Sequence, residues 1–301
     1  MNTVVLTLSQ TQLAALQQEL SHAIIGYPQH SLFQAKKQDV TITAYKSGKI
    51  VFQGVKAEEV AKDYGTVSPH EPAYHSTLPK GFATWSVMGS DEVGTGSYFG
   101  PLTVCAAYVD DHSLDTLKQI GVKDSKNLTD TQIRQLATQL KQLIPYKQLV
   151  VYPEKYNTIH EKKNLNEMKA LLHNQALHLL TEKIAPIKPQ AYLIDEFAKK
   201  DTYYRYLQGQ AVIVKEQVYF ATKGESHHLA VAAASILARD AFLEGLEQLS
   251  QHYGYDLPSG AGVTVDRVAS QILQEKGMDY LGKVAKLHFA NTKKAQQLIK
   301  E

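Results

Sequence analysis

The sequence predicts an α/β protein in two parts: a large domain with a central mixed sheet flanked by helices, preceded by a small α+β domain. Three observations predict this. The chain of 301 residues is long enough for one domain of about 150 to 200 residues and a smaller companion. From residue 83 onward, strand-like and helix-like runs alternate, the pattern of a sheet covered by helices. Ahead of that alternation, the stretch TVSPHEPAYHSTLPKG carries three prolines and no sustained periodicity, so it reads as a linker. The expected division is 1–66, a linker over 67–82, and 83–301.

In the first part, LSQTQLAALQQELSHAI reads as a helix with Ser9 as N-cap and Leu13, Leu16, Leu20 and Ile24 on one face. Val40, Ile42 and Tyr45, then Ser47-Gly48, then Ile50, Val51 and Phe52 read as two strands joined by a glycine-containing turn. KAEEVAKDYG follows as a short helix ending near Gly65. In the second part ATWSVMG, LTVCAAYV, KQLVVY, AYLID and AVIVKEQVYFA read as strands. Helices are expected after Thr129, whose capping box is completed by Gln132, from Asn166 to Ile184, and from Ser226 onward. Met168, Leu171, Leu172, Leu179 and Leu180 give the Asn166 helix one apolar face for the sheet.

Composition excludes more than it assigns. Hydrophobic content of 44% and charged content of 21% are those of an ordinary globular protein. No run approaches the roughly 20 apolar residues of a membrane span, and the start MNTVVLTLSQTQ lacks a secretory pattern. A cytoplasmic protein with no membrane partner is expected. Cys105 sits in an apolar run as a core residue, and as the single cysteine it leaves no intramolecular disulfide. A net charge of +2 does not by itself announce a nucleic-acid binder, because the placement of basic residues matters more than their sum.

The chemistry concentrates in SVMGSDEVGTGSYFGP, residues 86–101. Asp91 and Glu92 end an apolar strand and Gly94, Gly96 and Gly100 follow at once. Neighbouring side chains on a regular strand point to opposite faces, so the pair can share a site only if the backbone bends there, which the glycines permit. Glycines also let backbone N–H groups approach a sugar-phosphate closely. The plain alternative is an ordinary acidic turn. A further carboxylate, Asp195, closes the AYLID run at the strand end where sheet proteins usually place their sites. Carboxylates about 4 Å apart repel by roughly 4 kcal/mol per pair at an effective dielectric near 20, so a converging cluster implies a divalent cation. Oxygen-only ligands suit Mg²⁺ or Mn²⁺. The adjacent His227 and His228 diverge on a helix and do not have zinc spacing. The dinucleotide glycine pattern fails at Phe99, and neither a phosphate-binding P-loop nor a serine nucleophile elbow occurs.

DEVGTGSYFGPLTVCAAYV, KDSKNLTD, LIDEF and ESHHLAVAAASILAR, in this order from residue 84 onward, resemble the type-2/type-3 ribonucleases H. TAYKSGKIVFQGVKAEEV is similar to a half-repeat of the TATA-binding protein, and such an appended domain marks the type-3 branch. The resemblance implies an RNase H-like catalytic domain, two divalent ions, and hydrolysis of the RNA strand of an RNA/DNA hybrid to 3′-hydroxyl and 5′-phosphate ends. It gives Asp91, Glu92 and Asp195 the role of catalytic, metal-binding carboxylates. For a fourth, the type-2 register falls near Leu243 and Asp240 lies about three residues early. Glu225 is the member expected for the type-3 branch, with Asp240 the alternative. Thr95 departs from the arginine that type-2 enzymes carry in the loop, which removes the basis for expecting efficient cutting at single embedded ribonucleotides.

By the same resemblance the Gly94-Thr95-Gly96 backbone reads the ribose 2′-hydroxyl and Lys126 holds a phosphate of the cleaved strand; a solvated loop lysine is the plain alternative. In the small domain Gln34, Lys46, Ser47, Lys49 and Gln53 are candidates for contacting the duplex backbone without reading sequence, or else form a solvated strand face. The tail carries Lys283, Lys286, Lys293 and Lys294 beside an apolar stripe, either tracking phosphates or pointing outward from a packed helix. Tyr203, Tyr204 and Tyr206 offer a stacking surface or, more commonly, core packing with tethered hydroxyls. A monomer is the default expectation.

Overall fold

The structure, a computed structural model, describes residues 2–28, 31–65, 78–123 and 125–299. Residues 66–77, most of the expected linker, lie outside that description, as does Asp124 of the KDSKNLTD motif. The chain divides into two compact units, Met1–His75 and Ser76–Glu301.

The first unit runs β1 (Asn2–Thr7), α1 (Gln10–Glu19), β2 (Ile24–Gly26), β3 (Ser31–Lys37), β4 (Val40–Tyr45), β5 (Lys49–Gly54) and α2 (Ala57–Lys62). Its antiparallel sheet has the order β1-β5-β4-β3-β2. Ser9 caps α1 as the sequence predicts, accepting from the Gln12 N–H at 3.3 Å. The helix stops at Glu19, however, so Ile24 belongs to β2 and not to the helical face. Strands β1 and β3 were not expected as separate elements. Leu13 and Leu16 from α1, its C-cap Leu20 and Val60 from α2 pack with Phe33, Ile42, Ile50 and Phe52 of the sheet. Both helices therefore cover one face, where alternate strand residues point, and the opposite face carries the other residues of each strand.

The second unit runs β6 (Val87–Val93), β7 (Leu102–Val109), α3 (Leu114–Gln119), α4 (Asp130–Leu143), β8 (Tyr146–Val151), α5 (Pro153–His160), α6 (Leu165–Ile184), β9 (Ala191–Asp195), α7 (Lys200–Tyr206), β10 (Val218–Ala221), α8 (Leu229–Tyr253), α9 (Val263–Lys276), α10 (Met278–Val284) and α11 (Ala290–Leu298). The sheet order is β10-β9-β6-β7-β8; β10, β9 and β6 are parallel, and β7 and β8 join antiparallel, which gives the mixed sheet the sequence predicts. Val87, Cys105, Ala107 and Leu193 face α4 and α8, while Met88, Val104, Ala106 and Ile194 face α6 and α7. Cys105 is buried, as expected for a core residue. No helix among the described residues is long and apolar enough to cross a membrane.

Several expectations need correction. The run AVIVKEQVYFA forms a strand only over Val218–Ala221. The long helix begins at Leu229 and not at Ser226, because residues 224–226 close a 3₁₀ turn and His228 serves as N-cap, its Nδ1 accepting from the Ala230 N–H at 3.0 Å. On α6 the buried face includes Lys169, His173 and Asn174, whereas Leu171, Leu172 and Leu179 are only half-buried. Phe82, at the end of the expected linker, is buried and packs against Trp85, Tyr219 and His228. Tyr203 packs in the core against Phe220, but its buried hydroxyl has no hydrogen-bond partner among the described residues.

The separation of β6 from α8 is set by one close approach. A Cβ on Gly89 would stand 2.4 Å from the Val231 N and 2.5 Å from the Ala230 carbonyl carbon. The glycine and the small-residue run Ala232–Ala234 bring the start of α8 against β6, immediately beside the acidic pair.

Candidate active site

Asp91 and Glu92 are the fifth and sixth residues of β6 and stay in regular register, opposite Cys105 and Val104 of β7. The expected bend at the pair does not occur; it comes two residues past Glu92, at Gly94, with φ +98° and a Pro101 carbonyl oxygen 2.2 Å from where a Cβ would lie. The two acids therefore point to opposite faces. Asp91 turns toward α8, where the nearby Ser235 hydroxyl favours its charged form. Glu92 turns toward α6, where His173 Nε2 meets its Oε2 at 2.9 Å and Lys169 Nζ meets its Oε1 at 2.5 Å. His173 Nδ1 is in turn 2.8 Å from Ser90 Oγ. The pair still shares one rim, because the β6–β9 pairing ends at Ser90 and Ile194. The next residue of β9, Asp195, falls beside Asp91 on the α8 face and accepts from the Gly224 N–H at 2.8 Å.

The electrostatics report convergence. Burial first, then the charges of Glu92 and Asp195, push the Asp91 carboxyl up to about 8. Burial likewise raises Asp195, opposed by the Gly224 N–H and reinforced by Glu225 and Glu92. Burial works against ionisation of Glu92 too, but the bond from His173 and the charge of Lys169 outweigh it and hold its carboxyl below the usual range. Glu225 lies in the 3₁₀ turn ahead of α8 with its side chain 5% exposed, and Lys126 Nζ stands 3.7 Å from its Oε1. Asp91, Glu92, Asp195, Glu225 and Lys126 are thus brought together. Asp240 is not: it is buried in an ion pair with Lys141 Nζ at 2.8 Å.

Among the described residues, no three His, Cys, Asp or Glu side chains are drawn together at metal-holding distance. The donor chemistry nevertheless fits a hard divalent cation: carboxylate oxygens predominate, and burial together with the charges of Glu92 and Asp195 raises Asp91.

The loop bearing Lys126 is fixed from α8. Arg239 Nη1 donates to the Ser125 and Leu128 carbonyls at 2.6 and 3.1 Å, and its Nη2 reaches Asp130 Oδ1 at 2.6 Å. Ser125 Oγ is 2.8 Å from Ser235 Oγ, which ties that loop to the face of α8 toward which Asp91 points. Of the glycine loop, Gly94 is buried, Thr95 half-buried and Gly96 exposed with open space around its α-carbon. In the small unit, Gln34, Lys49 and Gln53 stand on the face without helices, with Gln34 Nε2 donating to Thr43 Oγ1 at 3.0 Å, and Lys46 and Ser47 are exposed in the β4–β5 turn. Lys283, Lys293 and Lys294 are exposed, but Lys286 is fully buried, against both expectations for the tail.

Sequence reasoning missed Lys169, His173, Ser235 and Arg239. The one available signal was the i, i+4 spacing of Lys169 and His173, which puts both on one side of α6.

The Ribonuclease HII family matches residues 88–292, and a family described as a domain of unknown function (DUF3378) matches residues 3–77. Ribonuclease HIII of Enterococcus faecalis is 52% identical, covering 90% of this chain and 90% of its own length. Ribonuclease HIII of Bacillus mycoides is 48% identical over 100% of this chain and 99% of its own. The crystal structure of Bst-RNase HIII in complex with Mn²⁺ matches with a TM-score of 0.73 at 42% identity, covering 99% of each chain. With identity of this level over its full length, the chain belongs to the ribonuclease HIII family.

Proposed function

We propose that this ribonuclease H cuts the RNA strand of RNA/DNA hybrids endonucleolytically, leaving 3′-hydroxyl and 5′-phosphate ends, with Asp91, Glu92, Asp195 and Glu225 as the carboxylates that hold two divalent ions, Mg²⁺ or Mn²⁺. The observation that carries this reading is Asp91: buried beside Asp195 and Glu92, its carboxyl is pushed up to about 8, a cost that structure without function does not explain. When bound, the ions supply Lewis-acid activation of water and stabilisation of the leaving 3′-oxygen.

The chain's own residues do the rest. Asp91 and Asp195, side by side on the α8 face, present oxygens to a common point. His173 and Lys169 fix the Glu92 carboxylate in one orientation and keep it ionised. Lys126 extends into solvent beside Glu225, where an ammonium suits a phosphate of the cleaved strand. The exposed Gly96 lets backbone N–H groups reach a ribose 2′-hydroxyl. In the small domain Gln34, Lys46, Ser47, Lys49 and Gln53 contact the duplex backbone. Thr95 leaves the loop without a cationic side chain, so stretches of hybrid are preferred over single embedded ribonucleotides. We take the protein to act as a monomer in the cytoplasm.

The test is incubation of a labelled RNA/DNA hybrid with EDTA, Mg²⁺ or Mn²⁺, with Asp91→Asn in parallel. Metal-dependent RNA-strand cuts, lost in the variant, are expected; a hybrid left intact under every condition overturns the reading in favour of a binding protein.

A further inference from the structure

Lys286 is 0% exposed, and its surroundings are unusual for a lysine. Nζ donates to the carbonyls of Ser97 at 2.8 Å and Gly100 at 2.5 Å and lies 3.5 Å from that of Phe99, while the Tyr156 ring closes the site 5.8 Å away. No carboxylate lies within ion-pair distance of it among the described residues. Burial pushes its ammonium down to about 7, a measure of how poorly the site suits a charge. Methionine or leucine would fill the same volume without that penalty, so the charge has a task that packing alone does not set.

The acceptors identify the task. Ser97, Phe99 and Gly100 form the far limb of the glycine loop, a limb with no ladder of its own beyond the single bridge of Phe99 to Ala285. The lysine's own backbone belongs to the same clasp, its N–H donating to the Tyr98 carbonyl at 2.8 Å, and the Gly100 N–H donates to the Val284 carbonyl at 3.2 Å. Ser97 Oγ adds a second tie, accepting from the Gly260 N–H at 3.0 Å. A segment that begins with Gly94-Thr95-Gly96 is flexible by composition, yet a backbone that reads a hydroxyl has to be held within a few tenths of an ångström.

The geometry points to Lys286 as a positioning residue: reaching up from the C-terminal segment, it fixes the far limb of the glycine loop so that the near limb presents its N–H groups to the substrate ribose, and it thereby sets the preference for a hybrid over a DNA duplex. This rests on the reading of Gly94–Gly96 as the part that meets the ribose. Lys286 itself touches no substrate.

The test compares the Kd of the full-length protein for an RNA/DNA hybrid and for a DNA duplex of the same sequence, in EDTA so that nothing is cut. Lys286→Met is expected to weaken hybrid binding about tenfold while changing the DNA duplex less than about twofold, and to speed amide exchange over residues 94–100. Gly96→Ala, whose added Cβ meets nothing in the protein, probes the loop itself and is expected to show the same selectivity. If Gly96→Ala is selective and Lys286→Met either moves both duplexes equally or moves neither, the lysine's role is overturned and the loop reading stands. If Gly96→Ala is not selective, the loop reading falls. Should Lys286→Met fail to fold, Lys286→Gln, which keeps a donor but reaches fewer carbonyls, decides the matter: an unchanged hybrid-to-DNA ratio overturns the proposal.

Discussion

The ammonium of Lys169 lies 2.5 Å from Oε1 of Glu92 and 4.1 Å from the centroid of the Phe197 ring. A cation entering the rim must share Glu92 with a positive charge already in place. Lys169→Met is therefore expected to tighten binding of Mn²⁺ to the substrate-free protein by roughly tenfold, about 1.4 kcal/mol. Calorimetric titration measures this, and unchanged or weaker binding would show that the lysine's main effect is to order Glu92.

Asp91 gives a pH prediction with a definite sign. Its folded carboxyl is raised from 3.8 to about 8, so its contribution to stability is fully present below pH 3.8 and is lost as pH rises through about 8. Asp91→Asn removes the group that suffers this loss. Without metal, the variant is expected to melt roughly 5–10 °C above the parent at pH 9, with the difference shrinking toward pH 4. Thermal scans across that range check it; a variant less stable at pH 9 contradicts a strained acidic cluster.

Glu225 and Asp240 are separated by their surroundings. Glu225→Gln leaves its turn intact and is expected to reduce metal-dependent cleavage by about 100-fold or more with little change in Tm. Asp240→Asn strips Lys141 of its partner and is expected to lower Tm by roughly 3–6 °C, a loss of about 1–2 kcal/mol, while cleavage per folded molecule stays near that of the parent. The reverse pattern would exchange their roles.

Lys126 and Arg239 act on one loop in different ways. Lys126→Ala is expected to weaken hybrid binding uniformly across sequences and to reduce the slope of log K against log salt by about 1. Arg239→Met leaves the charge of Lys126 but frees the Ser125 and Leu128 carbonyls that hold its loop. Its expected effect is a several-fold rise in KM with a salt slope near that of the parent. Titrations at three salt concentrations separate the two.

What the sequence disclosed follows from the range of the forces involved. Asp91, Glu92 and Asp195 stood out because acids at the ends of apolar runs break a local pattern, and Ser9 and Thr129 because capping is settled within three residues. Glu225 was reachable only through resemblance, since a 3₁₀ turn has no periodicity of its own. Lys169 and His173 were overlooked, and Lys286 was placed outside, for a shared reason: polar residues on an amphipathic pattern are assigned to solvent, and only tertiary partners such as Glu92, Ser90 and the carbonyls of residues 97–100 draw them inside. The strands β1 and β3 are as long as β4 and β5, and their pairing with β5 and β4 defines them more than their composition does.

Gly89 has a wider meaning than local tolerance. Asp91 rides on β6 and Glu225 on the turn entering α8, and these two bodies touch where a single methyl group is missing. The gap between the halves of the acidic rim is therefore machined by a contact that carries no charge and performs no chemistry. Like-charged groups that would drift apart on a softer frame are kept at a fixed spacing by the stiffness of a helix resting on a strand, which leaves the arriving cation with little reorganisation to drive.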